Sequence, residues 1–203
     1  MYKLIFKSVF FLLLGCFFIA TSSHATTKYE LEMNVNNKTF ETALGFSVPL
    51  QTNSLNTRFN YIYKEDRYKK GGGELMLGNR FLKDRLGFKL GFNGIYGEIM
   101  DLRSDPKISN IGFVFGIDYE IPEGDLPVPV VLATKGSLAP EPMSFKDTEN
   151  HFEYRANLDI NILNNAGITM GYRYFKTDFE DFYKNSYSEQ SVFIGYKLTF
   201  EVE

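Results

Sequence analysis

Apolar and polar residues alternate along this chain with a period of two. The clearest run is 111–121. Ile111, Phe113, Phe115, Ile117, Tyr119 and Ile121 fall on one face. Gly112, Val114, Gly116, Asp118 and Glu120 fall on the other. Successive residues of a strand point to opposite faces, so this run predicts a strand with one apolar face.

Nine further segments repeat the pattern: 29–35, 40–48, 57–63, 74–81, 86–96, 126–135, 152–160, 168–175 and 191–200. Asn36, Asn37 and Lys38 form a tight turn. Pro49 is expected to end the second strand. Pro127 and Pro129 remove ladder donors from the seventh, so it starts late or irregularly. Heptads and low-complexity tracts are absent from the sequence. The fold class read from this pattern is all-β: a single antiparallel up-and-down barrel of ten strands, with eight as the fallback.

Pattern alone does not say which face meets water. A sandwich or a lipocalin-like barrel turns the apolar face inward. A transmembrane barrel turns it outward to lipid and keeps charge in the lumen. Connection lengths favour the second. The links 49–56, 82–85, 122–125 and 161–166 are shorter and less charged than 64–70, 97–110, 137–150 and 176–189. Short links on one side and long ones on the other are expected of outer-membrane barrels, and a closed barrel leaves no sheet edge. The 36–38 turn is the exception.

The start of the chain supplies an address. Lys3 and Lys7 precede an apolar run over 9–20, and Ser23, His24 and Ala25 offer a small-x-small cleavage site. A signal peptide is expected over 1–25, with the barrel over 26–203. Cys16 is the one cysteine, so no disulfide framework is expected after cleavage. Leu13, Leu14, Gly15 and Cys16 also resemble a lipoprotein signal cut before Cys16; the apolar run beyond it favours cleavage after Ala25. The run is too short for a comfortable membrane anchor.

Composition adds less. The chain has 20 Phe, 13 Tyr, 17 Gly and no Trp among 203 residues, a bias that suits strands and turns. Acidic residues outnumber basic ones 25 to 22 without a basic block, so no nucleic-acid partner is expected. Gly195, Leu198 and Phe200 approximate the closing signal read by the barrel-assembly machinery. Phe193, Leu198 and the three residues after Phe200 depart from it.

Gly171, Tyr172, Arg173 and Tyr174 lie in the ninth strand, and the segment S-L-A-P-E-P over 137–142 leaves the seventh. With these, the glycine-alternating central strands and the closing strand, the chain resembles the YfaZ family of outer-membrane protein precursors over most of its mature length. The long charged loops and the residues after Phe200 depart from that family. The resemblance implies an outer-membrane barrel of a Gram-negative cell. It brings no activity and no catalytic residues.

Parity predicts the lumen charges. Glu30, Glu32, Glu41, Glu74, Asp118, Glu120, Glu153 and Asp159 are acidic; Arg58, Arg80, Lys89, Lys135, Arg155, Arg173 and Lys197 are basic. A barrel of this strand number is barely wider than its side chains. Near-balanced charge there reads as a paired network, because an unpaired buried charge is costly. The alternative is a narrow channel for small solutes.

Enzyme chemistry has one candidate. His151, read as a surface residue near Asp147, Thr148 and Glu149, could serve as the general base of a lipid-modifying enzyme. No hydrolase signature surrounds it. Asp178, Glu180 and Asp181 lack the spacing of a calcium loop and read as solvated. No cofactor is expected. Arg67, Lys69, Lys70, Arg103, Lys107, Lys176 and Lys184 are expected on the outer side, where they could contact lipopolysaccharide phosphates or simply be solvated loop charges. Tyr61, Tyr63, Tyr96, Tyr119, Tyr154, Tyr172 and Tyr174 are expected to form the interface girdle. The reading is a non-enzymatic, monomeric outer-membrane barrel with a structural or surface-interaction role. Its expected partners are membrane lipid, lipopolysaccharide and the assembly machinery.

Overall fold

The computed structural model describes residues 26–100, 102, 105–122, 124, 127–180 and 186–202. The expected signal peptide, Cys16 and the cleavage site lie outside these residues. The strands are β1 (Thr27–Val35), β2 (Thr39–Leu50), β3 (Asn53–Lys64), β4 (Tyr68–Phe81) and β5 (Leu86–Ile99), then β6 (Lys107–Glu120), β7 (Val130–Ala139), β8 (Thr148–Leu163), β9 (Ala166–Phe179) and β10 (Ser186–Val202). Each is antiparallel to its sequence neighbours. β1 pairs with β10 from Thr27↔Val202 to Val35↔Ile194, which closes the barrel. The number is ten, not the fallback of eight.

Local chemistry sets the hairpins. Asn36 Oδ1 accepts from the Lys38 and Thr39 amides at 3.1 and 2.9 Å, a side-chain turn that reverses the chain between β1 and β2. β7 begins at Val130, just after Pro127 and Pro129. Pro49 does not end β2: the strand runs to Leu50, and Pro49 stands opposite Ser54 beside the turn. A missing amide is tolerated there because the ladder has only one further rung.

Several predicted loops are strand. The link expected over 64–70 shrinks to 65–67, and β5, β6, β9 and β10 also extend into predicted loops. The reason is burial. Tyr68, Ile99, Ile108, Phe179 and Tyr187 point inward from these extensions into one apolar cluster with Phe175. On the other side, the link expected over 122–125 widens to 121–129.

The outer wall is apolar. Leu90 is 69% exposed, Phe92 54% and Ile111 47%, among many similar residues. A soluble monomer rarely exposes contiguous apolar surface on this scale, whereas a transmembrane barrel requires it. The chain is a transmembrane-type β-barrel with an inside-out polarity. Ring packing also shapes the wall: Phe115 lies across Gly136, where a Cβ would come within 2.3 Å of its ring.

Candidate functional site

The chemistry of this chain is concentrated in the lumen. Every strand contributes a charge to an interior ion pair, because each strand's second face carries at least one Lys, Arg, Asp or Glu. A continuous chain of contacts starts at Asp159, whose Oδ2 accepts from Lys197 at 2.7 Å. Lys197 also reaches Glu30 at 3.2 Å. Arg58 donates to Glu30 at 2.9 Å and to Glu32 at 2.7 Å. Arg155 bridges Glu32 and Glu41. Arg173 then donates to the other oxygen of Glu41 at 2.9 Å. A branch leaves Arg58 for Glu74 at 3.7 Å, and Lys135 donates to both Glu74 oxygens at 2.6 and 2.8 Å.

Five carboxylates (Asp159, Glu30, Glu32, Glu41, Glu74) therefore meet five cations (Lys197, Arg58, Arg155, Arg173, Lys135). The assembly is neutral. Neutral polar side chains complete it. Asn34 Nδ2 donates to Glu32 and Glu41 at 2.5 and 3.2 Å, and Thr169 donates to Asp159 at 2.6 Å. Arg155 also lies over the Phe193 ring, 4.4 Å from its centroid. Full pairing answers the desolvation cost of charge inside a narrow barrel.

All fifteen predicted lumen charges lie in ion pairs, but not at one depth. Asp118 accepts from Arg80 at 2.7 Å and Lys89 at 2.8 Å near the end where β1 starts and β10 finishes. There Arg80 and Glu120, 3.5 Å apart, each have side chains 42% exposed. They sit at the mouth and not within the crowded interior expected for them, because Arg80 is next to last in β4 and Glu120 is the last residue of β6.

The opposite end is sealed by apolar side chains. Tyr68 packs edge-on against Phe175 at 5.0 Å between ring centroids, and Tyr187 lies 5.8 Å from Phe175. Ile62, Ile95, Ile99, Ile108 and Phe179 complete the cluster. Arg173 joins the two layers, donating to the Tyr68 hydroxyl at 3.2 Å. Between strands β3, β4, β5, β7 and β8 a cavity of about 30 Å³ remains, touched by Asn93, Ser137 and Glu153. That is room for a water or two.

Two predicted placements are corrected here. Lys70 is not on the outer side. It points inward, 2% exposed, donates to Glu153 at 2.6 Å, and lies over the Phe175 ring at 4.1 Å. It belongs to the extended part of β4 and shares the inward parity of Glu74. His151 is not a surface residue. It is 2% exposed, with Nδ1 2.8 Å from Thr177 Oγ1 and Nε2 3.8 Å from Glu153. Its partners are Thr177 and Glu153, not Asp147, Thr148 and Glu149. It has the inward parity of Glu153 and Arg155, a signal present in the sequence. The pair of Lys64 and Glu189, also interior, was legible by the same rule.

The outer wall carries the other predicted groups. Tyr61, Tyr63, Tyr96, Tyr154 and Tyr172 are exposed at the sealed end's height, whereas Tyr119 lies toward the end where β1 starts. Above them Lys69 pairs with Glu98 at 2.7 Å and Lys176 with Asp178. Asp178 is thus engaged by Lys176 at 2.8 Å. Asp181, Arg103 and Lys184 lie outside the described residues. Among the described residues no cluster of His, Cys, Asp and Glu could hold a metal ion.

No protein-family model matches this chain, and no curated protein matches it. Among solved structures it is similar to a chain from a study of the in-meso crystallization of membrane proteins, with a TM-score of 0.40 and 14% identity, covering 88% of this chain and 84% of that one. It is also similar to a porin refined at 1.8 Å, with a TM-score of 0.34 and 12% identity, covering 88% of this chain and 59% of that one.

Proposed function

We propose that this protein is a non-conducting, non-enzymatic outer-membrane barrel of a Gram-negative envelope. Its role is structural, and it presents its extended rim at the cell surface. It follows a cleaved signal peptide, is inserted by the barrel-assembly machinery as a monomer, and is allied to the YfaZ family. The observation that carries the reading is the join between Arg173 and Tyr68, where a neutral ion network meets an apolar seal. A solute path needs polar groups that can exchange partners with a passing ion. Here the charged groups are paired with one another, and the end beyond them is filled by buried apolar side chains. The buried position of His151 supports the non-enzymatic part, since Thr177 and Glu153 occupy its neighbourhood.

Planar-bilayer recording tests this. The purified barrel is expected to give no stable single-channel steps. A variant with Tyr68→Ala, Glu41→Ala and Arg173→Ala, which hollows out both layers, is expected to give them. Reproducible steps from the unaltered protein would overturn the proposal.

A further inference from the structure

The outer wall at the sealed end has a two-tier pattern that the lumen does not explain. One tier is aromatic and lies at the top of the lipid-facing band: Tyr61, Tyr96 and Phe145. Tyr61 pairs with Gly71, Gly71 with Tyr96, and Tyr96 with Ser109, whose carbonyl accepts the Phe145 amide at 2.7 Å. The tier above is basic. Lys69 pairs with Glu98 across β4 and β5, and Glu98 pairs with Lys107 across β5 and β6. Lys146 completes it.

The segment that brings Lys146 here is held against the start of β6. β6 pairs with β7 only from Phe113 onward, so its first residues need another neighbour. The segment after Ala139 supplies one through a bridge between Ser144 and Asn110. It holds Phe145 outward, 47% exposed, and turns at Lys146 with a left-handed φ of 61°. That conformation is uncommon for lysine. It brings Nζ to 3.1 Å from the Tyr96 hydroxyl and 4.3 Å from its ring centroid.

We infer that Lys69, Lys107 and Lys146, above Tyr61, Tyr96 and Phe145, form a site for a phosphorylated membrane lipid. The ammonium groups take the phosphate, and the aromatic tier takes the first methylenes of the chains. Carboxylates share this stretch, with Glu180 beside Asp147 through an amide–carbonyl bond of 3.0 Å. Glu98 holds Lys69 at 2.7 Å, and Asp147 accepts the Lys107 amide at 2.8 Å. Lys69, Lys107 and Lys146 stand at the height where a lipid headgroup leaves the apolar band. Lys176, elsewhere on the same rim, is matched by Asp178 at 2.8 Å and serves as the control. The inference rests on the membrane reading proposed above and names where that membrane's anionic lipid sits.

The probe is lipid A carrying its phosphates, set against its dephosphorylated counterpart. Both are titrated into the detergent-solubilised full chain and followed by native mass spectrometry. Insertion into phosphatidylcholine vesicles, scored by heat-modifiable migration, is measured separately, so failure of the membrane reading shows there and not in the lipid titration. The phosphorylated lipid is expected to bind in preference. Substituting Lys69, Lys107 and Lys146 together by Gln is expected to weaken it on the order of a hundredfold at low salt. Lys176→Gln is expected to leave it unchanged. Glu98→Gln frees Lys69 and is expected to tighten binding, a gain that misfolding does not mimic. Equal binding of both lipids, a triple variant within about twofold of the parent, or loss of affinity in Glu98→Gln overturns the inference. Displacement of the lipid by inorganic phosphate at equal concentration also overturns it, by assigning the site to the free ion.

Discussion

Arg173 reaches across the lumen to Glu41, its Nη1 donating to Oε2 at 2.9 Å, although 132 positions separate the two residues in the chain. Both side chains are almost wholly buried. Glu41 also accepts from Arg155, so one carboxylate holds two guanidinium groups. Removing its charge leaves those cations short of a partner. Glu41→Gln is therefore expected to destabilise the barrel by about 3–5 kcal/mol. Reversible urea unfolding from lipid vesicles measures it, and a change below about 0.5 kcal/mol is what an ordinary surface substitution gives.

Leu90 separates a lipid-facing wall from a wet one. It is 69% exposed on β5. In water, Leu90→Arg at such a position stays within about 0.5 kcal/mol of the parent. Facing the middle of a bilayer, the same change costs about 2–4 kcal/mol. We expect the larger value in unfolding from vesicles. The smaller value sinks the membrane orientation of the wall.

Gly195 sits at the β1–β10 seam. A Cβ there would lie 2.2 Å from both the Met33 carbonyl oxygen and Asn34 Oδ1. Backbone does not give way as a flexible side chain does, so Gly195→Val is expected to cost more than the roughly 1–3 kcal/mol of ordinary overpacking and to abolish the heat-modifiable closed form. Gly116 is the comparison. Its nearest neighbours stand at 3.6 and 3.7 Å, so Gly116→Ala is expected to be neutral or slightly stabilising.

His151 should be chemically silent in the closed barrel. Its imidazole lies at the level of the apolar seal, with Phe175 6.0 Å away between ring centroids. Carbethoxylation must wait for an opening that costs a few kcal/mol, so it should run on the order of a hundredfold slower than in the unfolded chain. Peptide mass mapping over time gives the two rates. Similar rates would show an open path to the imidazole and revive a catalytic reading of it.

The strand pattern carried most of the architecture. The alternation of Ile111, Phe113 and Phe115 with Gly112 and Val114 fixes a side for each residue, because a strand has a period of two. Parity alone placed Glu32, Glu41, Arg155 and Arg173 together on the inside. It also held the right side for Lys70 and His151, whose placement failed only because loops were drawn where strands continue. Aromatic and glycine content, with ten such segments, left a closed barrel as the arrangement without an exposed edge.

Partner choice was another matter. Parity says that Arg173 faces inward; it does not say that Arg173 meets Glu41, since that depends on how ten strands are staggered around the closure. The same stagger decides depth. It leaves Arg80 and Glu120 at a wet mouth while Arg155 and Glu32 are dry, though all four follow one rule in the sequence. It also gathers Ile62, Tyr68, Ile108 and Phe175 into a seal, which no local pattern announces because Ile108 and Phe175 come to the first two from distant parts of the chain. The turn at Lys146 onto Tyr96 is of this kind too: it exists because the start of β6 lacked a neighbour. A local period determines which way a side chain points, and only closure of the sheet determines what it finds there.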